Sequence, residues 1–323
     1  MKTKRLLNVL LLISVAFYFS GCSNTGSEKK STSGKLEGKI SISGAFALYP
    51  MTVKWAEEFM KEYPGVRIDI SAGGAGKGMT DALSGMVDLG MVSREISPAE
   101  VEKGAWFLAV TKDAVLPSVN TNNPVLGDLM AKGLTKEIFQ ELFLTDNPHN
   151  WGEFVDQPNN DKVIVYTRSD ACGAAEMWGK YLGKNQESLH GVGVFGDPGI
   201  ANAVKQDKFS IGYNNVNYVY DMKSRKNYEG MVVIPIDLNG NRIIDPEENF
   251  YGNLDSLMSA IQTGRYPSPP ARDLYMVSHG KPTKPEVIAF LNWILTSGQK
   301  FVHEAGYVNL TEIKIVSEKE KLQ

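Results

Sequence analysis

Three short stretches of small residues hold the residue types best suited to chemistry: 43–50 (SGAFALYP), 71–78 (SAGGAGKG) and 167–174 (TRSDACGA). Each lies between an apolar β-like run and a helical stretch. Each therefore presents unpaired N–H groups at a helix start, where the helix dipole also favours negative charge. Small side chains let an oxyanion approach that backbone closely, and Arg168 adds a planar, permanently charged fork suited to two oxygens of one ion. Any one of these corners reads equally well as a tight connection. Three in one chain, with the arginine, point to capture of a small tetrahedral oxyanion. The nearest rival, a nucleotide P-loop ending at Gly76-Lys77, fails because Ser71 stands where the first glycine belongs and Gly78 where Ser or Thr must meet magnesium.

Other candidates are weaker. The run 237–248 (DLNGNRIIDPEE) puts Asp237, Asn239, Asn241, Asp245 and Glu248 at calcium-loop spacing, but Arg242 takes the sixth position, where glycine makes the sharp turn; a calcium loop and a polar hairpin both remain open. His149, His190, His279 and His303 have no metal-ligand spacing. Cys172, at a helix start beside Arg168, has the setting of an activated thiolate, yet no histidine neighbours it in sequence to act as base, so no catalysis and no cofactor are expected. The tryptophans Trp55, Trp106, Trp151, Trp178 and Trp293 sit in apolar contexts and read as core. Asn214 and Asn215 either line a cleft or cap a turn.

The elements that must position the corners alternate β-rich and helical, which predicts an α/β protein with a largely parallel sheet. Strands are expected at 39–43, 67–71, 163–167 and 231–236. A long β segment is expected at 109–120, interrupted at Pro117. Helices are expected at 51–63, from near Met79, and at 174–182, 285–295 and 297–305. Turn signals at 120–124 and 268–272 mark two crossings between a split first domain, 37–118 plus 267–315, and a second domain, 119–266. Residues 316–323 read as a frayed tail. At the front, Lys2, Lys4 and Arg5 precede the apolar run 6–19, which ends Phe19-Ser20-Gly21-Cys22: an export signal closing on a bacterial lipobox. That run is too short to span a bilayer. Lipid on Cys22, a polar tether over 23–36 and an extracytoplasmic location follow as expectations, with plain secretory cleavage as the competing reading. Cys172 would then have no disulfide partner. With 34 Lys plus Arg against 37 Asp plus Glu, a net charge of −3 gives no nucleic-acid surface and no polybasic membrane patch, so an anion site must be built locally.

Over about residues 38 to 312 the chain resembles the phosphate-binding proteins of bacterial ABC importers, within the type II periplasmic binding-protein superfamily. The motifs that carry the resemblance are 73–78 (GGAGKG), 87–94 (VDLGMVSR) and 168–173 (RSDACG). It implies a monomer of two lobes that closes on its ligand and presents it to a membrane permease. Ligand contacts are implied at Ala47 and Leu48, at Ala75 and Gly76, at Ser93 and Arg94, and at Arg168, Cys172, Gly173 and Ala174. Well-known members carry Ser or Thr where this chain has Ala47, Ala75, Cys172 and Ala174, and some carry Asp where it has Ser93. Binding would then rest on backbone N–H groups, Arg168, Ser93 and Arg94. The proton of hydrogen phosphate would need Ser93, Asp170 or Glu95 as acceptor, unless Asp170 is occupied in orienting Arg168. Sulfate, molybdate or tungstate are the alternative ligands. A surface lipoprotein of this fold used for sensing or adhesion is the alternative role.

Overall fold

The computed structural model describes residues 36–323, so the export signal, Cys22 and nearly all of the tether lie outside the described residues. In order the chain forms β1 (Glu37–Gly44), α1 (Tyr49–Glu62), β2 (Gly65–Ala72), α2 (Ala75–Leu83), β3 (Leu89–Val92), α3 (Pro98–Glu102) and β4 (Ala105–Asn120). Then come α4 (Leu126–Lys132), α5 (Lys136–Leu144), β5 (Ile164–Arg168), α6 (Gly173–Tyr181), β6 (Val192–Val194), α7 (Gly196–Gln206), β7 (Ser210–Asn215), α8 (Val216–Val219) and β8 (Met231–Val233). The chain closes with α9 (Leu254–Thr263), β9 (Ala271–His279), α10 (Pro285–Ile294) and α11 (Glu312–Glu320). No helix among the described residues is long and apolar enough to cross a membrane.

Strand order is β2-β1-β3-β9-β4-β7-β5-β6, with β8 also on β4. Pairing is parallel where a helix connects neighbours, as in β1 with β2 and β3 or β5 with β6 and β7. It is antiparallel wherever β4 or β9 takes part, so the sheet is mixed rather than largely parallel. A strand that must return the chain from one lobe to the other runs against its neighbours. Residues 105–114 of β4 pair with β9 and residues 115–119 with β7, so this one strand belongs to both lobes.

Two apolar cores follow. The first buries Trp55 and Phe59 of α1 at helical spacing against Phe290 of α10; the second gathers Phe139, Phe143, Trp178 and Tyr213. Val110 belongs to the first core and Ala114 to the second, so the chain crosses between lobes inside β4, earlier than the turn signal at 120–124 suggested. Pro117 does not interrupt β4: the ladder uses its carbonyl, which accepts the Ile234 N–H at 3.0 Å. The one register shift lies instead between Ala109 and Thr111. The tail is not frayed. Glu318 of α11 is 1% exposed, accepts the Ala109 N–H at 3.1 Å and pairs with Lys321 at 2.6 Å. The surrounding charged residues concealed this anchor.

Candidate oxyanion-binding site

The first two corners are welded by glycine contacts. Gly44 has φ +132°, and a Cβ there would lie 2.3 Å from the Met91 carbonyl oxygen. Its own carbonyl accepts the N–H groups of Gly73 and Gly74 at 2.9 and 3.2 Å. Gly74, with φ +90°, then opens α2 at Ala75, directly on the corner and not near Met79, because glycine supplies the turn that lets the helix begin at once. Leu48 caps α1 with no side-chain bond, and Ala47 and Leu48 are buried. Lys77 turns away to Asp81, which also accepts from Ser43 Oγ at 2.7 Å.

The third corner is built around Arg168, whose side chain is 1% exposed at the end of β5. Its Nε and Nη2 donate to the two oxygens of Asp170 at 2.8 and 2.6 Å, and its Nη1 donates to Asp197 at 2.6 Å. Three of the five guanidinium N–H groups are thus used and two are not. Arg168 keeps its proton under all accessible conditions: although burial opposes its charge, the fields of Asp197 and Asp170 win. The Phe46 ring lies 5.6 Å from the guanidinium carbon. Cys172 caps α6, its Sγ accepting the Ala175 N–H at 3.4 Å. Burial pushes its thiol up to about 12, despite the opposing field of Arg168. It is a neutral cap at neutral pH, and the activated-thiolate setting suggested by the sequence is not realised.

The lobes meet at these corners. Gly76 N–H donates to the Ala171 carbonyl at 3.1 Å, and a Cβ on Gly173 would stand 2.2 Å from Ser93 O. At the rim Lys180 pairs with Glu95 at 3.0 Å, and Phe46 meets Phe195 edge to face. The structure therefore sets Gly76 and Ser93 of one lobe against Ala171 and Gly173 of the other, with Phe46 of the first corner over Arg168; Ala47, Leu48, Ala75, Cys172 and Ala174 are buried next to them in the chain. Two residues depart from expectation. Arg94 donates to Glu100, the capping-box carboxylate of α3, at 2.9 and 2.6 Å, and it lies within the field of Glu176 on α6, so its guanidinium is already engaged. The Glu95 side chain is 74% exposed and engaged with Lys180, so it offers no acceptor there.

Asp170 is the orienting partner of Arg168, and also accepts the Gly196 N–H at 3.0 Å. Sequence reading missed Asp197, because nothing in the run 196–199 (GDPG) distinguishes a buried carboxylate from a helix-start residue. Asn214 and Asn215 prove to be its supports, with Asn214 Nδ2 on its carbonyl at 3.0 Å and Asn215 N–H on its carboxylate at 3.2 Å.

In the loop 237–248, Asp237 accepts the N–H groups of Gly240 and Arg242, both at 2.8 Å, and Glu248 accepts those of Leu238 and Asp245 at 2.8 and 3.2 Å. Asp245 accepts from the side chains of Asn239 and Asn241 at 2.8 and 2.9 Å. These bonds close a polar turn in which Arg242, at the sixth position, has φ +61°, the left-handed conformation that glycine supplies in a calcium loop.

Two lobes with facing small-residue helix starts and a buried arginine define a binding protein that closes over its ligand. The chain belongs to the PBP superfamily domain family, whose model matches residues 29–297. It is 26% identical to the phosphate-binding protein PstS of Methanocaldococcus jannaschii, over 94% of this chain and 90% of that one. It is 25% identical to PstS of Bacillus subtilis, over 98% and 97%. An ABC-type phosphate transport receptor from Vibrio cholerae superposes with TM-score 0.60 at 18% identity, over 84% of this chain and all of the other.

Proposed function

We propose that the protein captures inorganic phosphate outside the cytoplasm and delivers it to an ABC importer, as a binding protein without catalytic activity. The observation that supports this most directly is the convergence on one seam of three helix-start corners with Arg168, whose two spare N–H groups are buried between the lobes. The kinship with phosphate-binding proteins gives the ion. Burial keeps the Cys172 thiol neutral at neutral pH, so it is not poised as a nucleophile. In this reading Cys22 carries lipid and tethers a monomer to the membrane beside its permease; Ala47, Ala75, Gly173 and Ala174 offer backbone N–H groups and Ser93 a hydroxyl, while Leu48, Gly76 and Cys172, whose N–H groups are given to Ala45, Ala171 and Gln186, shape the wall of the site. Calorimetric titration of the full-length protein with phosphate, sulfate and molybdate tests it. Saturable binding with phosphate tightest is expected, and no heat with phosphate would overturn it.

A further inference from the structure

Asp113 of β4 and Arg272 of β9 stand opposite one another in register, where both strands pass between the lobes. Their side chains are 1% and 3% exposed and 3.6 Å apart, too far for a hydrogen bond. Neither Asp113 oxygen, and neither Nε nor Nη1 of Arg272, has a hydrogen-bond partner of good geometry. Such groups are costly to bury and mark a cluster whose charge is not yet balanced. Only Nη2 of Arg272 is used, donating to Asn215 Oδ1. Asn215 Nδ2 in turn donates to Asp197, the carboxylate that holds Arg168. Asp170, Arg168, Asp197, Asn215, Arg272 and Asp113 thus form one buried chain from the third corner to the hinge. It holds three carboxylates against two guanidiniums, so an arriving oxyanion adds to an existing negative excess.

A buried cluster in that position relieves itself by taking up a proton. Asp113 is the member best placed to do so. Asp170 accepts from Arg168 and the Gly196 N–H, and Asp197 accepts from Arg168 and Asn215, whereas Asp113 faces Arg272 at 3.6 Å and the amides of Ala114 and Val216 without one well-formed hydrogen bond. Resting on the oxyanion reading above, we propose that Asp113 balances the charge of the captured anion by binding one proton from solvent as the anion enters, with Arg272, Asn215 and Asp197 as the positioning residues that tie it to Arg168.

The electrostatics agree. Burial already pushes Asp113 up to about 6, against the Arg272 field and the amides of Ala114 and Val216, with Asp197 raising it further. The titratable groups near it are Arg272 on β9, Asp197 on α7, Tyr218 on α8, and Tyr307 before α11. An added anion raises an acid further. The share of affinity linked to Asp113 should therefore be fullest below about pH 6 and be lost as pH rises toward the higher value that Asp113 adopts in the complex.

The test is calorimetry of the full-length protein with inorganic phosphate at pH 7, in buffers of different ionisation enthalpy, which counts protons taken up. The wild type should take up about half a proton or more per anion beyond Asp113→Asn, which keeps the shape and removes the charge. The phosphate affinity of Asp113→Asn should also vary less between pH 6 and 8. The infrared difference spectrum of the wild type should gain the carbonyl stretch of a protonated carboxylic acid on phosphate addition. Equal proton counts, with both proteins binding, overturn the inference alone. Should Asp113→Asn fail to fold or to bind, the wild-type spectrum decides, and absence of the new band overturns it. A wild type that binds no phosphate removes the oxyanion reading and this inference together.

Discussion

Replacing Arg168 by alanine takes away the fork on which two acidic groups rest. The side chains of Asp170 and Asp197 are 9% and 2% exposed, so two carboxylates would face the anion with no neutralising charge. The ligand loses up to two charge-assisted donors and meets that repulsion, which together should weaken phosphate binding by about 2–4 kcal/mol, roughly 30- to 1,000-fold. Breaking a buried pair from one side also costs about 3–5 kcal/mol of stability. The stability deficit should shrink as pH falls from 7 toward 5. In the wild type the bonds from Arg168 hold Asp170 below its ordinary range although burial opposes this; without them burial wins, and the acid takes up a proton and becomes neutral. Arg168→Lys should recover only part of the affinity, because a single ammonium cannot serve two carboxylates and a ligand in one geometry. Calorimetry for binding and thermal melts at pH 5 and 7 for stability provide the readouts. A folded Arg168→Ala protein whose dissociation constant stays within about threefold of the wild type would refute the argument, since that shift is worth less than 1 kcal/mol.

Cys172→Ser should bind phosphate as well or better, because the hydroxyl caps α6 at least as well as sulfur does, and the wild-type thiol should resist Ellman's reagent at neutral pH until the protein unfolds. Gly173→Ala should weaken binding at least about tenfold while leaving the melting temperature of the free protein within a few degrees, because the new methyl would collide with Ser93 only when the lobes meet; small-angle scattering with phosphate should then show no compaction. Ser93→Asp should widen the preference for phosphate over sulfate. The present hydroxyl can donate or accept as the ligand demands, so sulfate should compete within about 1–4 kcal/mol in the wild type, and a complete lack of sulfate affinity at neutral and mildly acidic pH would show that another acceptor already rejects it.

How much of this was legible in the sequence depended on whether the signal was local. The corners could be found because small residues, a strand before and a helix after lie within a few positions of one another, and Arg168 stands inside one of them. The engagement of Arg94 could not be read, because adjacency to Ser93 says nothing of partners: Glu100, six residues on, accepts from its guanidinium at the start of α3. Asp113, Asp197 and Arg272 were invisible because their significance is purely tertiary, set by strands distant in sequence that converge at the hinge. Pro117 and Glu318 show the opposite error. Each follows a local rule, for a strand breaker and for a solvated tail, that the surrounding packing overrides.

The place of β9 has a consequence for how the protein comes into being. Between β3 and β4 the first lobe keeps an empty lane in its sheet that only residues 271–279 can fill, whereas every strand of the second lobe lies between residues 115 and 233. During synthesis from the N-terminus the later-encoded lobe therefore has all its strands first, and the lobe that begins the chain is the last to close its sheet. Until then β3 and the first half of β4 present open backbone edges, so a chain released before residue 271 would carry all the strands of the second lobe beside an adhesive, half-made first one.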